Sequence, residues 1–179
     1  MRNLWKSVLG LWAMGICLGV SAPAQADSVG PYYATPSWDQ TLPAATRFIV
    51  LSNFASAAVL DRETGLVWEK SPSTSRSTWF DASLHCINLN AGGRTGWRLP
   101  TIQELLSLVD RSVSPGPTLP SGHPFTNVQS SDYWSATTEA EHTTRAYLVL
   151  FNSGVVGTSE KSLSSQVWCV RGGQGPDAQ

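Results

Sequence analysis

The sequence predicts an α+β domain, in which helices are segregated from an antiparallel sheet rather than alternating with parallel strands. Three observations carry this. Short runs rich in branched and aromatic residues lie on both sides of the chain's centre, two stretches with helical apolar spacing lie between them, and Asn, Asp and Gly punctuate the strand runs as hairpin turns do.

The first twenty-six residues read as an export signal. Arg2 and Lys6 precede an apolar run from Ser7 to Val20, and Ala24-Gln25-Ala26 is a small-residue cleavage site. The run is shorter than the roughly 20 apolar residues a membrane span needs, and no later segment comes close. Lipidation at Cys17 is disfavoured by the preceding Met14-Gly15-Ile16. Residues 27–46, rich in Pro, Ser, Ala and Tyr, are expected to form a flexible leader or an arm lying on the domain, residues 47–173 the domain, and residues 174–179 a disordered tail.

Within the domain, Arg47 to Leu51 is the first strand candidate. Ala58-Val59-Leu60 and Leu66-Val67-Trp68 flank the turn-rich Asp61 to Gly65 as a β-hairpin, with Trp68 capping the core. Ser77 or Thr78 caps a helix from Trp79 to about Asn90, whose buried face is Trp79, Ala82, Cys86 and Leu89; Ala91-Gly92-Gly93 ends it. Thr101-Ile102-Gln103-Glu104, preceded by Pro100, is a capping box that starts a second helix running to about Asp110. Ser112 to Ser131, with four prolines and two glycines, is a long loop and is expected to be ordered. Strands follow at Tyr133-Trp134-Ser135, Arg145 to Phe151, Val155 to Thr158 and Gln166 to Val170, with Asn152-Ser153-Gly154 as a hairpin turn.

Composition then narrows the function. The mature chain carries ten Lys and Arg against thirteen Asp and Glu, and the basic residues are spread singly. Nucleic-acid binding, which draws on clustered Lys and Arg, is argued against, and no polybasic lipid anchor is visible. Cys17 leaves with the signal, so Cys86 and Cys169 remain as a pair in an oxidising compartment. Two distant cysteines do not make a zinc site or a redox C-x-x-C, and a disulfide is the plain reading. Closing so long a loop stabilises the fold by about 4.5 kcal/mol in the chain-entropy model.

Thr64-Gly65-Leu66-Val67-Trp68-Glu69-Lys70, Thr78-Trp79 with Ala82 and Cys86, Gly96-Trp97-Arg98-Leu99-Pro100-Thr101 with Glu104-Leu105 and Leu108, Tyr133-Trp134-Ser135-Ala136-Thr137, and Cys169-Val170-Arg171-Gly172 form a distinctive set. In these residues the chain resembles the bacterial DUF1566 family, also called Lcl_C, the domain at the C-terminus of the Legionella collagen-like adhesin. The resemblance runs from about Val59 to Gly173. It implies a C-type-lectin-like fold related to the formylglycine-generating-enzyme group, in which a cysteine of the first helix bonds one on the last strand. It does not imply calcium-dependent sugar coordination. The E-P-N or Q-P-D and W-N-D triplets of calcium-dependent lectins are absent, and Trp134-Ser135-Ala136 stands where the last would be.

Candidate chemistry is sparse. His85, His123 and His142 share no metal-ligand spacing and read as surface residues. No G-x-S-x-G elbow is present, and no nucleophile, base and oxyanion set is evident, so the chain reads as non-enzymatic. Asp132, Glu139 and Glu141 offer oxygen atoms for calcium, but no calcium-loop spacing supports a bound ion, and no cofactor is expected. Asp61 and Glu63 read as turn residues, Trp97 as a buried aromatic, and Arg98 as the partner of a carboxylate. Tyr133 is the exposed aromatic candidate. With Asp132, Arg145, Tyr147 and the long loop it forms the expected binding surface, since function sits on loops held by a rigid frame. The expected role is an exported recognition domain for a surface glycan, peptide or protein, in the periplasm or outside the cell. The rivals are a structural subunit of a periplasmic or cell-surface assembly and an oxidoreductase like the formylglycine-generating group, which requires a reduced cysteine pair.

Overall fold

A computed structural model describes residues 42–113 and 115–173, all within the unit Pro31–Gln179. The expected signal segment, most of the leader and the 174–179 tail lie outside the described residues. Among the described residues, no helix is long and apolar enough to cross a membrane.

From Leu42 onward the described chain lies against the domain. Residues 44–47 form a helical turn, α1 (Ala44–Arg47), and the Leu42 N–H donates to Glu63 Oε1 at 2.6 Å, so the end of the supposed leader is part of the fold. The cause is Arg47, whose guanidinium is fully buried and fixes the chain there. Strand β1 is accordingly Phe48–Val50, two residues shorter than expected, and a 3-10 turn (Ser52–Phe54) follows it.

The hairpin of β2 (Ala58–Asp61) and β3 (Val67–Glu69) forms as the sequence predicts. Its turn is closed by the Gly65 N–H on the Asp61 carbonyl at 2.8 Å, with Gly65 at φ 70°, a conformation that only glycine adopts cheaply. Helix α2 (Trp79–Asn88) is capped by the Thr78 hydroxyl, which accepts from the Asp81 N–H, and buries Ala82 and Cys86. It stops two residues early because Leu89 turns to extended backbone.

The two-residue strand β4 (Trp97–Arg98) leads into α3 (Ile102–Leu106), which starts with the expected capping box. The helix ends at Leu106 rather than near Asp110. The Ser107 hydroxyl bonds back to the Glu104 carbonyl at 2.7 Å, and the Ser107 carbonyl is taken by Arg47 at 2.7 Å, which leaves that carbonyl engaged outside the helix.

Strands β5 (Asp132–Thr138), β6 (Arg145–Leu150) and β7 (Val155–Glu160) make an antiparallel meander, and β8 (Val170–Arg171) closes the chain. The expected strand from Gln166 to Val170 is mostly irregular backbone: Gln166 bridges to Tyr133, and the Cys169 carbonyl accepts from the Glu69 N–H. Two sheets result, β1-β2-β3-β8-β4 and β5-β6-β7, with every strand pair antiparallel. The α+β class with an antiparallel sheet is what the sequence predicts.

Alternation along β5 and β6 places Tyr133 and Val149 in one apolar cluster and Trp134, Ala146 and Leu148 in another, so the hairpin has a core on each face. The hub of the first cluster is Trp168, with ring centroids 5.0 Å from Phe125, 5.5 Å from Trp68, and 5.7 Å from both Tyr133 and Phe151. Trp68 is therefore central, not a cap, and is fully buried. The long loop is ordered as expected because it completes this core: Leu119 and Phe125 enter it, and the Thr118 N–H donates to the Phe151 carbonyl. In the second cluster the Cys86–Cys169 disulfide ties α2 to the residue before β8, with Cα atoms 5.4 Å apart across 83 residues of sequence.

Candidate functional site

Two guanidinium networks organise the polar side of the molecule. In the first, the buried Arg47 donates from Nε and Nη2 to the two Asp61 oxygens at 2.8 and 2.7 Å and stands 3.1 Å from Glu63 Oε2. Asp61 also accepts from the Glu63 N–H at 3.0 Å. Asp61 is thus a turn residue, as expected, and in addition half of a buried ion pair; Glu63 is held there with it.

The second network is exposed. Arg76, from the Ser-rich segment before α2, donates through Nε to the Ser164 carbonyl, through Nη1 to Ser131 Oγ, and through Nη2 to both Asp132 oxygens at 3.0 and 2.8 Å. Asp132 also accepts from Ser131 and Ser165 hydroxyls. Burial alone would raise the Asp132 pKa, but the hydrogen bonds from Ser165, Ser131 and Arg76 outweigh it and hold the carboxyl below its usual range. Beside this cluster, Asn127 of the long loop donates to Ser71 Oγ at 2.8 Å, and Gln129 donates to the Asn127 carbonyl at 2.9 Å. Ser71, Arg76, Thr126, Asn127 and Ser130 all face solvent, so a hydroxyl- and amide-rich patch is fixed by bonds to a rigid frame.

The expected surface residues do not meet. Asp132 pairs with Leu150 at one end of the β5–β6 hairpin, whereas Arg145 begins β6 at the other end and pairs with Glu160 of β7. There Arg145 lies 3.4 Å from Glu139 and 3.7 Å from Glu160, and His142 lies 3.5 Å from Glu139. Tyr147 is half-buried against the first core. Tyr133 corrects the sequence most directly: it is fully buried, its hydroxyl accepts the Gln129 N–H at 2.7 Å, and burial pushes its pKa up to about 12. The reason is strand parity, since Tyr133 points toward Phe151 and Trp168 and away from solvent.

Asp132 and Glu139, two of the three acidic residues considered as calcium ligands, sit at opposite ends of β5, each facing a guanidinium, and do not converge. His85 and His142 are exposed, as expected, whereas His123 is half-buried and its pKa is lowered by that burial. Trp97 is buried, and Arg98 pairs with Glu104 at 2.6 and 2.8 Å, as the sequence indicated.

One ligand-like cluster escaped the sequence. Glu69, His85 and Cys169 bring a carboxylate oxygen, an imidazole nitrogen and a sulfur within 4.8 Å of one another. Burial raises the Glu69 pKa to about 7, offset in part by a backbone hydrogen bond with Cys169, and among the described residues Glu69 Oε2 has no hydrogen-bond partner. The sulfur is spent in the disulfide, which leaves two ligands where zinc takes three or four from protein. Arg76 also escaped it, and Asn127 was covered only as part of the long loop, because isolated polar residues in Ser- and Pro-rich segments carry no periodic signal.

The model of the Lcl C-terminal domain family matches residues 57–171. Among curated proteins, no match is found.

Proposed function

The chain belongs to the Lcl C-terminal domain family, and from that premise we propose that it is an exported, non-catalytic recognition domain on a C-type-lectin-like frame. Family membership points toward an adhesin-associated role, and the bonded Cys86–Cys169 pair is compatible with a compartment that oxidises thiols. The ligand is a surface polymer, a glycan before a peptide or protein, bound through the patch of Ser71, Arg76, Asn127, Ser130 and Asp132 and not at Tyr133 or Arg145.

The observation that carries this is the pre-ordered hydrogen-bond network of Arg76 with Asp132, Ser131 and Ser164 beside Asn127. Donors and acceptors held in place before binding lose little freedom when a polyhydroxylated ligand meets them, and a site without exposed aromatic rings selects by hydrogen bonding rather than by stacking. The disulfide and the two cores supply the rigidity.

A combined glycan and protein array tests the proposal. Wild-type protein should bind at least one immobilised ligand, and Arg76→Ala should weaken that binding about tenfold while leaving the melting temperature nearly unchanged. A uniformly negative array, or binding unaffected by changes across the patch, removes it. A structural subunit would instead co-purify with a membrane assembly through other surfaces.

A further inference from the structure

Helix α2 is apolar on both sides. Its inner face buries Ala82 and Cys86, while Phe80, Leu84 and Ile87 on the outer face are 64, 41 and 62% exposed. Their spacing of four and three residues stacks them in one narrow stripe along the helix. Leu163, 57% exposed, extends it at the helix start, since it stands in the turn whose ends, Lys161 and Ser165, bond to Trp79 and Ser77. Three large apolar side chains thus line one water-facing stripe, with Leu163 exposed in the turn that bonds to the start of α2, a grouping that marks an interaction site rather than scattered surface residues.

We propose that this stripe is a self-association surface, on which a second copy of the chain packs its own α2 antiparallel about a two-fold axis. The stripe is self-complementary. Reversing one helix sets Phe80 against the partner's Ile87 and Leu84 against the partner's Leu84, so the large side chains meet in register. The polar flank agrees with that register. Asp81 and Asn88 are both exposed and lie on the same side of the stripe, near its opposite ends. A two-fold axis across the helices keeps that side facing itself, so each Asp81 carboxylate lies opposite an amide donor of the partner's Asn88. The Thr78 hydroxyl already donates to Asp81 Oδ2 at 2.7 Å, and no unlike chain is needed to pair Asp81 with Asn88. The apolar surface covered is on the order of 400 Å² per copy, about 800 Å² in all, below the roughly 1,000 Å² that a stable interface clears, and fits a weak, transient dimer.

Sedimentation velocity on the full chain, processed as its host exports it, tests the surface over a wide concentration range. A concentration-dependent dimer is expected, and Leu84→Arg should raise its dissociation constant at least tenfold by placing two guanidinium groups together at the axis. Asn88→Asp should weaken the dimer by setting carboxylate against carboxylate, and Asp81→Asn added to it should restore the affinity to about the wild-type value. That recovery is specific to pairing. Both changes oppose the helix dipole, so the double variant cannot recover by stabilising α2. Far-UV circular dichroism and thermal melts confirm that each variant is folded. A chain monomeric at every concentration overturns the proposal, as does a dimer indifferent to Leu84→Arg or a double variant that stays weak. Binding of the monomer to phosphatidylglycerol vesicles through Phe80, without self-association, also overturns it and assigns the stripe to lipid.

Discussion

The Arg47 and Arg76 networks use the same chemistry in opposite surroundings. Each places a guanidinium against an aspartate and a backbone carbonyl at hydrogen-bond distances of 2.7–3.0 Å. Both side chains of the Arg47–Asp61 pair are fully buried, whereas those of the Arg76–Asp132 pair are 44 and 27% exposed. Burial alone separates their roles. Water cannot take over the bonds of Arg47 if a partner is lost, so that network locks α1, the β2–β3 turn and the end of α3 together. Water competes for every bond of Arg76, so that network adds little stability and remains open to a ligand.

Breaking each network sharpens the contrast. Arg47→Ala should lower the unfolding free energy by about 4 kcal/mol, because Asp61 and Glu63 are left as uncompensated buried charges. Urea titration measures it, and a loss below about 1 kcal/mol would make the two networks equivalent.

Glu69 lies between these extremes, buried and, among the described residues, without an ion-pair partner. Its folded pKa of about 7 is above its unfolded value, so the folded chain holds a proton that the unfolded chain releases. Its contribution therefore declines as pH rises from about 4.5 to 7 and is constant above that, a change of about 3 kcal/mol. Glu69→Gln should flatten that part of the stability profile and stabilise the protein at pH 8, read from melting curves across pH.

Arg76→Ala should cost less than about 1 kcal/mol, an effect diminished further by salt, and should leave the melting temperature nearly unchanged. It should also raise the Asp132 pKa, since burial already favours the neutral acid and one of the groups opposing it is gone. That residue's stabilising contribution, present above its unfolded pKa and lost on acidification, would then begin to fade at higher pH. Carbon-13 NMR titration of the carboxyl reports the shift.

Much of the fold is legible in the sequence. The capping box at Thr101, the Gly65 hairpin, the Thr78 cap and the Cys86–Cys169 pair are local or compartmental signals, and each appears in the structure. The candidate site was less legible. Tyr133 looked exposed because an aromatic beside Asp132 says nothing about which strand face meets Trp168. Arg145 seemed a neighbour of Asp132 because strand adjacency was foreseen but not the register, and the register sets them at opposite ends of the hairpin.

By itself the sequence determined the class, the order of elements, the caps and the covalent staple, because each depends on residues a few positions apart or on the simple pairing of two cysteines. Only the tertiary structure decided which charges are buried, which aromatic rings form the hub, and which face of α2 is exposed among the described residues. Burial and register are properties of chains brought together over many tens of residues, and no short window of sequence encodes the low-dielectric surroundings that make Arg47 a lock and leave Arg76 free to meet water.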